Sequence, residues 1–356
     1  MKSYIQQEYF MLEQKDIFVS GTSGYHTFRI PSIIAAKNGD LLAFCEGRKD
    51  GNSDSGTIEM LLRRSQDGGS SWSPIEVVWA DPNNTCGNPC PVVDHTTGLI
   101  SLLMTHNLGS DIESKIIDGT SKGTRTVHLS QSSDHGRTWS SPTEITSTTK
   151  KDCWTWYATG PGAGIQLKSG RLIIPCDHIE AVNKKYYSHV IISDDGGSNW
   201  YLGGSTPNDQ VNECEVAELP NGTLLLNMRN YDREQRTRAY SYSEDGGHTW
   251  SNISRHPELI EPICQASMRR ISVKNNNYLL FSNPANRDSR VDMTVRLSSD
   301  NGQTWPHTRE LHNGPAAYSC LYTTENGHGY CLYECGKNSP YEFIRLAYFD
   351  LDWIKT

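Results

Sequence analysis

The chain has 356 residues, with 33 Lys plus Arg against 41 Asp plus Glu, a formal net charge of −8. That balance excludes a nucleic acid or an anionic membrane surface as the main partner, since neither phosphate nor lipid headgroup is drawn to it. No apolar run approaches the roughly 18 residues of a transmembrane helix, and thirty Gly and nine Trp beside only seven Phe point to many tight turns, some carrying an indole.

In chain order, Met1-Lys2-Ser3-Tyr4-Ile5-Gln6-Gln7 has no apolar h-region of a secretory leader. This favours a cytoplasmic location over a secreted, periplasmic or lysosomal one. Residues 1–15 are expected to form an extension, and Ile17-Phe18-Val19 a short strand. Short apolar or alternating strands follow at Arg29 to Ile34, Asp40 to Cys45 and Thr57 to Arg64, ending in the turn-like segment Ser65 to Trp72. The same pattern, Ser-x-Asp-x-Gly-x-(Thr/Ser/Asn)-Trp, returns at Ser132 to Trp139, Ser193 to Trp200, Ser243 to Trp250 and Ser298 to Trp305. Between the copies lie further strands at Gly98 to Thr105, Arg171 to Pro175, Thr223 to Met228 and Tyr278 to Ser282. Asn38-Gly39, Ser169-Gly170 and Asn221-Gly222 supply hairpin signals. No helical periodicity of useful length occurs.

The repeated segment has the physics of a strand-joining turn. Its Asp accepts backbone N–H bonds, its Gly supplies positive φ, and its Trp plugs the turn against the sheet. A segment present in every unit is scaffold rather than five separate binding sites for substrate or metal. The acids Asp67, Asp134, Asp195, Asp245 and Asp300 lie 50 to 67 residues apart. Units of that size with about four strands predict an all-β, six-bladed β-propeller of four antiparallel strands per blade. The sixth unit, from about Ala316 to Leu351, has three strands and no such turn. The N-terminal strand is therefore expected to close the last blade, within a single domain spanning 1–356.

Ten Cys are scattered along the chain. Cys331 and Cys335 share one strand-like run, which puts them roughly 13 Å apart, too far to bridge. Cys86 and Cys90 lack a second pair at zinc spacing, so no metal site is expected and the thiols are read as small hydrophobes.

Tyr25-His26-Thr27-Phe28-Arg29-Ile30-Pro31 carries the Phe-Arg-Ile-Pro motif of exo-α-sialidases, and the five repeated turns resemble that family's Asp-boxes. The likeness runs from about residue 20 to the end. It implies a propeller using three Arg, a Tyr–Glu pair and an Asp, with no cofactor, acting on sialylated oligosaccharides, glycoproteins or glycolipids. By position the first Arg is Arg29. Asn212-Glu213-Cys214-Glu215-Val216, with Leu226-Asn227-Met228-Arg229, resembles the segment that supplies Glu213 and Arg229. Ser289 to Thr294 is similar to the segment of the third Arg, Arg290, and Ala317-Tyr318-Ser319-Cys320-Leu321 to that of the Tyr, Tyr318. Glu46-Gly47-Arg48 and Ser53-Asp54-Ser55-Gly56 match the accessory Arg48 and the acid/base Asp54. Glu215 competes with Glu213, two residues away on one strand, and Asp50 competes with Asp54.

Topology gives a separate expectation. Arg29, Glu213 and Tyr318 fall at starts of first strands, whereas Arg48, Asp54, Arg229 and Arg290 fall at ends of second strands or in the next turn. In up-and-down blades all seven then meet at one mouth, opposite the boxes. Trp154-Thr155-Trp156-Tyr157 and His106 reach that same face, the Trp segment either lining the site or packing its rim. His106 stands where family members often carry Trp.

The residue types suit one chemistry. Arg forks bind the carboxylate of sialic acid bidentately, and that carboxylate repels an anionic nucleophile. A neutral Tyr avoids the repulsion but needs a base, Glu213. Asp54 would protonate the leaving oxygen and then activate water, giving retention. Two other readings are a trans-sialidase, including the intramolecular kind, and a non-catalytic sialic-acid-binding propeller. The absence of room for an extra acceptor-binding domain favours hydrolysis, and the full Tyr–Glu–Asp set argues against a lectin.

Overall fold

The structure, a computed structural model, describes residues 11–274 and 276–356. The leader reading of Met1 to Gln7 lies outside the described residues, as does most of the expected extension, but Leu12 onward is already strand.

Strand β1 (Leu12–Val19) is followed by a meander of β2 (Thr27–Ala35), β3 (Leu41–Arg48), β4 (Ile58–Ser65) and the short β5 (Glu76–Trp79). The pattern repeats in β6 (Asn84–Val93), β7 (Ile100–Leu108), β8 (Thr126–Ser132) and β9 (Thr143–Glu144), with helix α1 (Glu113–Asp118) inserted between β7 and β8. Helix α2 (Thr146–Thr149) leads to β10 (Trp154–Thr159), β11 (Ile165–Gln166), β12 (Leu172–Glu180), β13 (Tyr186–Ser193) and β14 (Tyr201–Ser205). Both β10 and β11 pair with β12, which continues through β13 to β14. Next come β15 (Val211–Glu218), β16 (Leu224–Asn230), β17 (Thr237–Ser243) and β18 (Ser254–Ile260) as one four-stranded sheet. Finally β19 (Ser267–Val273), β20 (Asn276–Pro284), β21 (Val291–Ser298), β22 (His307–Thr323), β23 (His328–Cys335) and β24 (Phe343–Asp350) precede helix α3 (Leu351–Lys355).

The fold is all-β, and every predicted strand is present, most of them longer than read. One difference concerns β22. Its first half pairs with β21 and its second half with β23, so two expected strands form one element and two expected sheets merge into one of seven strands. The left-handed Gly314 (φ 102°) lies near the end of the first half, where the register with β21 shifts, just before Pro315 faces Val291 and Ala316 takes up pairing with β23. β1 pairs antiparallel with β24, as Phe18 facing Ile344 shows.

Strands are buried on both faces because each sheet packs against its neighbours. In β12, Leu172, Ile174 and Cys176 join one core cluster, and the alternate residue Ile173 joins the next. Each such aliphatic side chain contributes about 1.5–3 kcal/mol. Nine of the ten thiols are buried and Cys153 is exposed.

The five boxes lie in the turns after β4, β8, β13, β17 and β21, each a self-contained knot. In the first, Ser65 Oγ donates to Asp67 Oδ1 (2.8 Å) and Gly69 N to Ser65 Oγ (2.8 Å). Ser71 N donates to Asp67 Oδ1 (2.8 Å), and Ser71 Oγ to Asp67 Oδ2 (2.5 Å). The last box repeats this with Ser298, Asp300, Gly302 and Thr304. Side-chain and backbone hydrogen bonds from Ser71 hold the Asp67 carboxyl down to about 2. The residue after each Asp is left-handed, φ 70° at Gly68, 64° at His135 and 63° at Asn301, and only Gly, Asn or a His tolerates that readily. The box carboxylates are used up by their own turns.

Candidate active site

Five strands break register at the same end, opposite the boxes. The breaks fall between Arg29 and Ser32 in β2, Gly87 and Cys90 in β6, Trp154 and Tyr157 in β10, Val211 and Cys214 in β15, and Ala316 and Ser319 in β22. A bulge turns consecutive side chains out of the pleat, and these turn Ile30, Asn88, Trp156, Glu213 and Tyr318 into one cavity. The backbone is strained there: β-branched Ile30 has φ 60° and Asn88 φ 54°. Buried carboxylates hold the bulges. Glu334 accepts from Ile30 N (2.9 Å) and Tyr318 N (3.0 Å), and Glu46 accepts from Asn88 N (2.9 Å).

All seven sequence-predicted residues line this cavity. At its floor Tyr318 Oη donates to Glu213 Oε1 (2.5 Å), and Arg229 Nη1 reaches both Glu213 Oε2 (2.6 Å) and Tyr318 Oη (3.0 Å). The guanidiniums of Arg29 and Arg290 lie over the Tyr318 ring, at 5.0 and 5.6 Å. Burial pushes the Tyr318 phenol well up, as does the Glu213 carboxylate, against three nearby Arg. The Tyr318 phenol is therefore neutral and hydrogen-bonded to the Glu213 carboxylate.

Each arginine is held differently. Arg29 gives Nε and Nη2 to Glu334 (3.0 and 3.3 Å), leaving Nη1 among the described residues with only Asp54, at 3.6 Å. Arg290 bonds Tyr341 Oη (3.0 Å) and Ile263 O (3.3 Å) and has no carboxylate partner among the described residues. The three cations thus keep N–H groups that an anionic ligand can use.

Asp54 sits across the cavity on the β3–β4 connection, its side chain about half exposed and 2.7 Å from Arg48 Nη2. Burial raises its carboxyl, but Arg48 and Arg29 more than reverse this and hold it below the usual range. Arg48 is itself fixed by Glu46 Oε2 and Asn52 O. Asp50 does not line the cavity. Glu215 is separated from Glu213 by the bulge: it is buried against Arg269, and burial raises it to about 7 although Arg269 opposes. The Trp segment divides, Trp156 lining the cavity and Trp154 stacking on buried His178 at 3.5 Å. His106 is engaged by Asp81 (2.8 Å) and stacks with Trp79, away from the cavity wall.

Sequence reasoning missed Glu334, Arg125, Glu113 and Asp177. Arg125, buried, bonds Asn107 Oδ1 (3.1 Å) and Asn88 Oδ1 (2.9 Å) and lies 4.0 Å over the Trp156 ring, with no carboxylate partner among the described residues. No motif flags it, although an arginine at the start of a third strand, on the mouth side, is a topological signal. Glu334 was legible only as an acidic residue inside the apolar run Tyr330 to Cys335.

A family model for a BNR repeat-like domain matches residues 39–331. A sialidase from Micromonospora viridifaciens is 32% identical over 357 residues, which cover 96% of this chain and 54% of that protein. The chain thus spans about half the length of that relative. An exo-α-sialidase from Aspergillus fumigatus is 30% identical over 362 residues, covering 93% of this chain and 86% of that protein. Among solved structures, the Hadza microbial sialidase Hz136 superposes with TM-score 0.88 at 29% identity, covering 96% of this chain and 69% of that one.

Proposed function

The chain belongs to the exo-α-sialidase family, and from that premise we propose that it hydrolyses terminal α-linked sialic acids from oligosaccharides, glycoproteins or glycolipids, with retention. The observation that carries the reading is the hydrogen-bonded Tyr318–Glu213 pair beneath three arginines. Arg29, Arg229 and Arg290 anchor the substrate carboxylate. Tyr318 Oη attacks the anomeric carbon while Glu213 takes the phenol proton. Asp54 protonates the leaving oxygen. In the second step Asp54 takes a proton from water, water attacks the same carbon, and Tyr318 leaves with the proton returned by Glu213. Substrate binding itself prepares the acid. The incoming carboxylate offsets the charge of Arg29, one of the two cations that keep Asp54 ionised, and so raises its affinity for a proton. Two displacements at one carbon give the α-anomer first.

The same proposal extends to the fold: six blades of four strands in a single catalytic domain, with β1 closing the last blade. Five box turns at one end, five bulges at the other and the β1–β24 pairing support it.

A fluorogenic α-sialoside tests the activity. Release by the wild type, its loss in Tyr318→Phe and Asp54→Ala, and an α-anomer first product by NMR are expected. Binding without release between about pH 4 and 7 overturns hydrolysis. Formation of an anhydro-sugar, or transfer to lactose, replaces it with a trans-sialidase.

A further inference from the structure

Two of the three arginines share a support that is not itself part of the cavity wall. Tyr341 lies on the β23–β24 connection and is not among the lining residues. Its Oη accepts from Arg290 Nη1 at 3.0 Å, and the Arg29 guanidinium sits over its ring at 4.2 Å. The ring packs against Ile30, Cys264, Ala317 and Tyr318, two of which are bulged residues of the site. Its backbone is tied to the strand of Arg29. Ser20 Oγ donates to Tyr341 O (2.7 Å) and accepts from Phe28 N (3.2 Å), the residue before Arg29. The Glu342 carboxylate accepts from Lys337 N (2.9 Å) and Asn338 N (3.0 Å), which closes the connection on itself.

The two arginines need this support unequally. A carboxylate, Glu334, grips two nitrogens of Arg29 and fixes its plane. Arg290 meets only neutral acceptors among the described residues, Tyr341 Oη and, at 3.3 Å, Ile263 O. Each takes one N–H of a different terminal nitrogen, so both nitrogens keep a second N–H. A phenol oxygen therefore orients the fork without neutralising it. A carboxylate in the same place would orient Arg290 as well, but it would spend the charge that draws an anionic ligand. Without the phenol oxygen a single bond remains, and a long side chain so held regains rotamer freedom that binding must then remove.

We propose that Tyr341 is a positioning residue of the carboxylate anchor: its hydroxyl aims Arg290, its ring face seats Arg29, and the pair is thereby preset for a ligand carboxylate. This rests on the sialidase reading of the same site. The ring face carries partial negative charge that favours a cation without forming an ion pair. Both guanidiniums also lie over the Tyr318 ring, so Tyr341 keeps two like charges in place beside the group that reacts. The anchor is held alike in the ground state and the transition state. Loss of the hydroxyl is therefore expected to raise KM roughly 10-fold and to leave kcat within about threefold.

The test measures dissociation constants for 2,3-didehydro-2-deoxy sialic acid and for its methyl ester, which keeps every other group and lacks the negative charge. The ratio of the two is internal to each preparation, so a partly folded variant does not disguise it. The wild type is expected to prefer the acid by roughly 100-fold or more. Tyr341→Phe keeps the ring and should cut that preference roughly 10-fold, and Tyr341→Leu, which also removes the ring face, should cut it further. In an Arg290→Ala background the Phe substitution should leave the ratio where it is, because the arginine it acts through is gone. A Phe variant with the wild-type ratio overturns the proposal, as does an equal loss for acid and ester, which would make Tyr341 mere packing. A further fall in the Arg290→Ala background overturns the route through Arg290. A wild type without preference for the acid fails before any variant is compared, and removes the carboxylate anchor of the sialidase reading together with this support for it.

Discussion

The two ends of the strands are built on opposite plans. At the box end, one device is used five times and completes itself within eight residues: Asp245 is bonded by Ser243, the backbone of His248 and Thr249, and the Thr249 hydroxyl. At the mouth the bulge recurs five times, but each presents a different side chain whose partners lie far along the chain. Arg29 depends on Glu334, 305 positions away, and Tyr318 on Glu213, 105 positions away. The box end leaves little unsatisfied, whereas the mouth keeps strained backbone at Ile30, unpartnered oxygens at Asp177 and unspent N–H groups on three arginines. Local satisfaction makes a scaffold, and long-range, incomplete satisfaction makes a binding site.

Substitutions should separate the two ends. The largest expected effect is Tyr318→Phe, which removes the proposed nucleophile and should lower kcat roughly 10³-fold or more with the melting transition nearly unmoved. Glu334→Gln tests whether the separation is absolute. This residue holds Arg29 and two bulged N–H groups at once, so it should lose activity about 10²-fold and stability by about 3 kcal/mol. Kinetics and urea unfolding on one preparation show both. Trp305→Ala at the box end should cost about 3–5 kcal/mol, since the indole is 5% exposed, while kcat/KM at 25 °C stays within about twofold. Asp245→Ala should cost about 1 kcal/mol and leave kinetics untouched. A large kinetic defect in either box variant would merge the two regions into one.

Acid provides the gentlest probe. Burial depresses His178 to about 3 and His128 to about 4, so both stay neutral in the fold while their unfolded forms protonate near pH 6.5. The unfolded state then binds more protons, and stability falls as pH drops from about 6.5 to 4, by about 1.4 kcal/mol per unit for each such His. His178→Phe, which keeps an aromatic ring against Trp154, should make urea midpoints less steep with pH. An unchanged slope would contradict this.

Legibility in the sequence followed the same division. The boxes could be read because each is a contiguous string whose chemistry is complete. The seven mouth residues could be read because their short motifs resemble those of the sialidase family; strand topology separately placed them at one end, and the cavity contains all seven. What stayed hidden depends on partners far along the chain. Bulges leave no mark in the strand pattern, so Glu213 and Glu215 looked equivalent until the break in β15 sent one to Tyr318 and the other to Arg269. The joining of two strands into β22, with a left-handed glycine near the switch from β21 to β23, leaves no mark in the strand pattern. Arg125 sits just before an ordinary-looking strand and Asp177 within one, and only burial without a carboxylate partner or a hydrogen bond singles them out.

The central claim is that Tyr318, activated by Glu213, becomes covalently glycosylated. Incubation with 2,3-difluorosialic acid followed by peptide mass mapping tests it directly. The account predicts a single adduct on the peptide containing Tyr318, formed by the wild type and absent from Tyr318→Phe. An adduct on Asp54 or Glu213, or turnover of an α-sialoside by Tyr318→Phe at the wild-type rate, would contradict it.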